Sequence, residues 1–116
     1  MATTEPESTS WDGENGKRYR YNVHDINFTP PANQDGNYIF AKKVGIQWKA
    51  VYIGEGNLRD RKNAAMSDGC VTRRGATHYH EHLNMSERDR FNEETDILKV
   101  HTEAYQTSGC NDKKGG

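Results

Sequence analysis

Two runs rich in β-branched and aromatic residues, Asn37-Tyr38-Ile39-Phe40-Ala41 and Trp48-Lys49-Ala50-Val51-Tyr52-Ile53-Gly54, flank a short connection that contains Gly45. Such residues suit a pleated, half-buried surface, and a glycine between them permits the tight turn of a β-hairpin. The two-residue period of a strand then places Tyr38 and Phe40 on one face of the first strand. It places Ala50, Tyr52 and Gly54 on one face of its partner.

Beyond the hairpin the signals alternate between helix and strand. Gly54-Glu55-Gly56 ends the second run, and Asn57 is placed to cap a helix from Leu58 to about Met66. Leu58, Arg61 and Ala65 fall at i, i+3 and i+7, so the pattern turns Arg61 toward the body. Asp68 to Gly75 reads as a loop carrying Arg73 and Arg74. Thr77 to Leu83 reads as a third strand with His78, His80 and His82 on one side and Tyr79, Glu81 and Leu83 on the other. Ser86, with Asp89 three residues on, opens a helix to about His101. Its apolar face holds Phe91, Leu98 and His101, with Ile97 beside them, and Glu94 points into that face while Glu93 and Asp96 point outward. An ionised carboxylate facing inward is costly unless it is paired or binds a metal, which singles out Glu94. The expected fold is α+β: a small three-stranded antiparallel sheet flanked by helices, in the order β-β-α-β-α.

Hydrophobic residues make up 32% of the 116, so the core is small and suits one domain. Twenty-eight of them lie within residues 36–111 and nine within 1–35, which puts the domain at 36–111. Residues 1–16, polar apart from a lone Trp11, read as a disordered acidic leader, and residues 112–116 as a disordered tail. Residues 17–35 read as an N-terminal arm in which Lys17-Arg18-Tyr19-Arg20-Tyr21 interleaves charge and aromatics before the Pro30-Pro31 break. The arm is either packed in extended form or a contact strand. The net charge is −1, but Glu5, Glu7, Asp12 and Glu14 precede any basic residue, leaving sixteen basic against thirteen acidic residues in 15–116. That modestly basic body is compatible with phosphate binding. No apolar run approaches the length of a membrane span, and the N-terminus lacks the pattern of a signal peptide, so the expected setting is cytoplasmic. There Cys70 and Cys110, forty positions apart, read as reduced thiols.

The residues Gly36-Asn37-Tyr38, Tyr52-Ile53-Gly54, Asn57-Leu58-Arg59-Asp60-Arg61, Glu94-Thr95-Asp96-Ile97-Leu98 and Cys110-Asn111 occur in that order at workable spacing across 36–111. This set resembles the GIY-YIG nuclease family. The resemblance implies a metal-dependent endonuclease that hydrolyses DNA phosphodiester bonds. It makes Tyr38, Tyr52, Arg61 and Glu94 the catalytic group, Glu94 the ligand of Mg²⁺ (or Mn²⁺), and Asn111 a residue at the substrate. The sequence departs from the family at Asn37, where an Ile is usual and where the side chain is expected to face solvent. It departs again at Glu55, where relatives such as the incision subunit of bacterial nucleotide-excision repair carry a Lys. Lys49, Arg59 and Lys62 are the candidates to replace that cation.

The residue types match the chemistry. Phosphodiester hydrolysis needs a placed water, a proton acceptor and positive charge against the phosphate oxygens. Tyr52 is the favoured base or relay with Tyr38 its hydrogen-bonding companion, although the reverse assignment reads almost as well. Arg61 steadies the phosphate with its planar donor fork. His78, Arg73 and Arg74 are read as further contacts to the substrate, and Tyr19 or Tyr21 as platforms for a splayed base. A domain this small implies that the arm, a second copy (a homodimer) or a partner protein supplies target selection. Two other readings compete. One is a non-catalytic nucleic-acid-binding or interaction module on the same scaffold. The other is a zinc-binding domain built on His78, His80 and His82.

Overall fold

The computed structural model describes residues 7–111. The tail at 112–116 and the first six residues of the leader lie outside that span. Five strands, β1 (Ser8–Asp12), β2 (Arg18–Asp25), β3 (Asp35–Val44), β4 (Gln47–Asn57) and β5 (His78–Leu83), form one antiparallel sheet in the order β1-β2-β5-β3-β4. The helices are α1 (Leu58–Asp68), the short α2 (Cys70–Arg73) and α3 (Glu87–Val100), followed by a 3-10 turn at Thr102–Tyr105. The α+β class and the central hairpin hold. The count of three strands does not, because the expected leader and arm supply β1 and β2.

The physical reason lies in the arm's own pattern. Tyr19, Tyr21 and Val23 alternate with Arg18, Arg20 and Asn22, and the first set turns inward while the second is exposed. That is the two-residue period of a half-buried strand. Trp11 anchors β1: it is 2% exposed, and its Nε1–H donates to Nδ1 of His80 at 3.0 Å. That buried aromatic, with the backbone ladder to β2, holds the polar five-residue strand in the sheet.

The sheet is covered on both faces. On one, Trp11, Tyr21, Ile39, Ala41, Ala50 and Ile53 pack with Ile97 and Leu98 of α3 and with Ala104. On the other, Tyr38, Phe40, Val51 and Tyr79 pack with Leu58 and Ala65 of α1 and Val71 of α2. A register shift opposite Phe40 and Ala41 leaves Val51 without a partner. This bulge turns Val51 and Tyr52 to the same face and sends Ala50 to the opposite one, so the expected grouping of Ala50 with Tyr52 fails.

Two further expectations are corrected. The segment 68–75 is not a plain loop, since Gly69 ends α1 in a left-handed conformation and four residues of α2 follow. Cys70 and Cys110 form a disulfide, with Cα atoms 6.0 Å apart, and are not reduced thiols. The bond ties α2 to the segment that ends at Asn111. No helix among the described residues is long and apolar enough to cross a membrane.

Candidate functional site

Tyr38, Tyr52, Arg61, Glu94 and Asn111 line one cleft of about 260 Å³, together with Ile53, Gly54, Glu55 and Phe91. The cleft lies beside β4, the edge strand, between α1 and α3. A second hollow of about 250 Å³ shares Tyr38, Tyr52 and Arg61 and runs on to Cys70, Val71 and Cys110.

Local chemistry explains how each side chain arrives. Tyr38 lies directly across from Gly54 in the hairpin, and a Cβ at position 54 would overlap the Tyr38 phenol. Glycine therefore makes the room in which that ring lies. The rings of Tyr38 and Tyr52 are 5.9 Å apart and steeply inclined, the edge-to-face arrangement aromatic pairs favour. Asn57 caps α1 by accepting from the Asp60 amide at 3.0 Å, as expected. Arg61, in the first turns of that helix, lies back over Gly56, whose φ of +135° admits no other residue comfortably.

Arg61 is exposed, against the expectation that it points inward; the buried cation of α1 is Lys62, whose Nζ donates to the Ile26 carbonyl at 2.7 Å. The candidates to replace the family's lysine do not enter the cleft. Lys62 is spent on Ile26, Arg59 Nε donates to the Pro30 carbonyl at 2.9 Å, and Lys49 lies toward the other end of β4. Arg61 is the cation among the described residues that line the cleft.

Helix α3 is stitched down by residues that sequence reasoning placed elsewhere. Glu93 and Asp96, expected to point outward, are both buried. Glu93 accepts from the Tyr21 hydroxyl at 2.7 Å and bonds His82 Nδ1 at 2.9 Å. Asp96 accepts from the Tyr19 hydroxyl at 2.7 Å and from the Asn15 amide at 3.1 Å. Asn37 faces α3 and not solvent, donating its Nδ2 to the Arg90 carbonyl at 2.9 Å. Phe91, expected in the apolar face, is exposed at the cleft. The signal that could have found these contacts is the pair Tyr19 and Tyr21: two inward phenols on a strand need acceptors, and α3 carries two carboxylates three residues apart.

With Glu93 and Asp96 holding the helix, Glu94 faces the cleft at 8% exposure. Burial, with the Glu55 carboxylate adding to it and Arg61 opposing, pushes its carboxyl up to about 7. Glu94 forms no ion pair among the described residues; Glu55 pairs with Arg90 at 2.9 Å and His101 with Glu103 at 3.3 Å. Burial, then the Tyr52 hydroxyl, raises the Tyr38 phenol well above its ordinary value, so Tyr38 stays protonated. Asn111 is nearby but occupied: its side-chain amide accepts from the Ile53 N–H and donates to the Ile53 carbonyl, both at 2.9 Å. It therefore braces the strand that carries Tyr52.

The remaining expected residues lie elsewhere. His78 bonds the Thr77 hydroxyl at 2.8 Å and packs edge-on against Trp48, on the α3 face of the sheet. Arg73 and Arg74 are exposed at the end of α2. Tyr19 and Tyr21 are committed to Asp96 and Glu93. The three alternating histidines have separate partners: Thr77 for His78, Trp11 for His80 and Glu93 for His82. Burial lowers His80 to about 3, which keeps it neutral. Among the described residues no group of three His, Cys, Asp or Glu side chains is placed to hold a metal ion. A cation in the cleft would have Glu94 as its protein ligand, the single-carboxylate arrangement suited to an ion that keeps several waters.

No protein-family model, no curated protein and no solved structure matches this chain.

Proposed function

We propose that the cleft hydrolyses DNA phosphodiester bonds with the help of a divalent cation. The observation that carries this reading is the convergence of Tyr38, Tyr52, Arg61 and Glu94 on one hollow from four separate elements. Glu94 would hold Mg²⁺ or Mn²⁺, which supplies Lewis-acid charge at the phosphate and a more acidic bound water. The raised Glu94 carboxyl fits that assignment, because a buried carboxylate with no cation bonded to it is stabilised by an incoming one.

The chain's own groups divide the remaining work. Arg61 offsets the charge that builds on the non-bridging oxygens. Tyr52, the more exposed phenol, would take the proton of the attacking water. Tyr38, held protonated by its burial, is a hydrogen-bond donor beside the Tyr52 ring. Asn111 fixes the backbone of β4 beneath both. Arg90 neutralises Glu55, so Arg61 and Glu94 are the open charges of the lining, and a divalent cation at Glu94 would add the positive charge that favours a phosphate.

The test is nicking of supercoiled plasmid DNA by purified protein with Mg²⁺ or Mn²⁺. The reading expects cleavage by the parent and none by a folded Glu94→Gln variant; equal cleavage by both would refute it.

A further inference from the structure

The β3–β4 hairpin projects a surface that the cleft does not explain. Its turn, Gly45-Ile46, leaves Ile46 95% exposed and Val44 more than half exposed. Gly45 has a φ of +65° and Ile46 is not left-handed, so the turn needs glycine only at its first position. Nothing in folding calls for a bare isoleucine at such a tip.

Charge sharpens the point. Lys42 and Lys49 are direct cross-strand partners, and like charges facing each other destabilise a ladder. Lys43 adds a third ammonium over the Trp48 ring at 4.9 Å. Between Gly36 and Gly54 the sequence has no acidic residue. The carboxylates that share a groove with Lys49 are engaged elsewhere, Asp12 with Arg18 at 3.3 Å and Glu103 with the Ala50 amide at 3.0 Å. The patch is also continuous with the cleft. Cys70 and Val71 of α2 line the second hollow, Arg73 and Arg74 end the same helix, and Lys42 Nζ donates to the Arg74 carbonyl at 3.0 Å.

We propose that this hairpin tip, with Arg73 and Arg74, is a docking surface for duplex DNA, the basic residues contacting the phosphates of both strands and Ile46 entering the minor groove. The proposal rests on the cleft being the site of DNA cleavage and names the form of its substrate. From Tyr38 to Val44 is six residues of strand, roughly 20 Å. That matches about six base-pair steps at 3.4 Å each. An apolar side chain at the tip of a basic ribbon is the kind of wedge that minor-groove proteins insert between base steps. Two exposed apolar side chains, Val44 and Ile46, are few for a lipid surface, whereas five cations strung between cleft and tip suit a phosphate backbone.

The experiment measures binding of a fluorescent 20-base-pair duplex in EDTA, across a salt series, so that no cleavage is needed. Lys43→Glu with Lys49→Glu is expected to weaken duplex binding at least tenfold at moderate salt and to flatten the salt slope by about two. Ile46→Ser is expected to weaken duplex binding severalfold and leave the salt slope unchanged. Both positions are at the surface of the hairpin, and circular dichroism checks that the fold is retained. Unchanged duplex affinity in the charge-reversed protein would overturn the proposal. So would loss of binding to anionic phosphatidylserine vesicles with duplex binding intact. If the parent never cuts DNA but the charge reversal still abolishes duplex binding, the cleft reading fails and the docking surface stands.

Discussion

The α3 face of the sheet and the tyrosine cleft beside β4 are both rich in groups that do chemistry, yet they are built on opposite terms. Under α3 the polar groups hold one another: His82 with Glu93 and Tyr21, Trp11 with His80, His101 with Glu103. In the cleft, Arg61 and Glu94 face open space with no ion pair between them, and both phenols line the same hollow. Residue type alone would have ranked the three histidines above two tyrosines as a reactive cluster. The difference is access: His80 and His101 each keep one ring nitrogen unpaired but enclosed within the fold, whereas Arg61 and Glu94 line a hollow that a ligand can enter.

Glu93 and Glu94 make that contrast across one peptide bond, and substitution of Glu94 gives the largest expected effect on cleavage. Glu94→Gln should lower cleavage at least about a hundredfold, read as plasmid nicking, while stabilising the fold at alkaline pH. The sign follows from the raised carboxyl. The folded state favours the protonated acid, so stability falls as pH rises from the ordinary value of 4.5 through about 7, and the glutamine variant escapes that loss. The gain above pH 7 is on the order of 3 kcal/mol, measurable by urea unfolding at pH 5 and pH 8. A variant less stable than the parent at pH 8 would mean that Glu94 is a structural pair after all.

The largest effect on stability comes from the disulfide that lines the second hollow. Reducing it, or making Cys70→Ser, should cost about 4 kcal/mol by the entropy of a forty-residue loop. Denaturant unfolding with and without dithiothreitol measures this. Glu93→Ala should cost about 2 kcal/mol by leaving the Tyr21 hydroxyl buried without an acceptor, and adding Tyr21→Phe should recover part of it. Strictly additive losses would show that the bond carries no weight.

The smallest effect is a pH slope. Hydrogen bonding to Glu93 raises His82 despite its partial burial, so its contribution is full below the ordinary 6.5 and is lost as pH rises through the higher folded value. His82→Gln should therefore flatten the stability profile just above pH 6.5. An unchanged slope would remove His82 from the network.

Much of this was legible beforehand where the pattern was local. The hairpin, the Asn57 and Ser86 caps and the third strand all follow from side-chain period and capping chemistry within a few residues. What was missed depends on partners far along the chain. Glu93 and Asp96 looked solvent-facing because the helix was judged against a single apolar stripe, whereas β1 and β2 add a second surface bearing Tyr19 and Tyr21. Asn37 was misjudged for the same reason, since its neighbour is α3, fifty-three residues on. The bulge at Val51 reversed one face of β4, as a single extra residue does. The disulfide was obscured by an assumption about compartment, not by spacing. Within the candidate site, the resemblance to the GIY-YIG family named Tyr38, Tyr52, Arg61 and Glu94, which line one hollow. It could not show that Asn111 is spent on Ile53 or that Arg90 neutralises Glu55.

The most direct test is to titrate ¹⁵N-labelled protein with Mn²⁺ and map which amide signals broaden. The account predicts broadening centred on Tyr52 to Glu55 and on Glu94, abolished by Glu94→Gln. Broadening centred instead on His78, His80 and His82, or unaltered by that substitution, would contradict it.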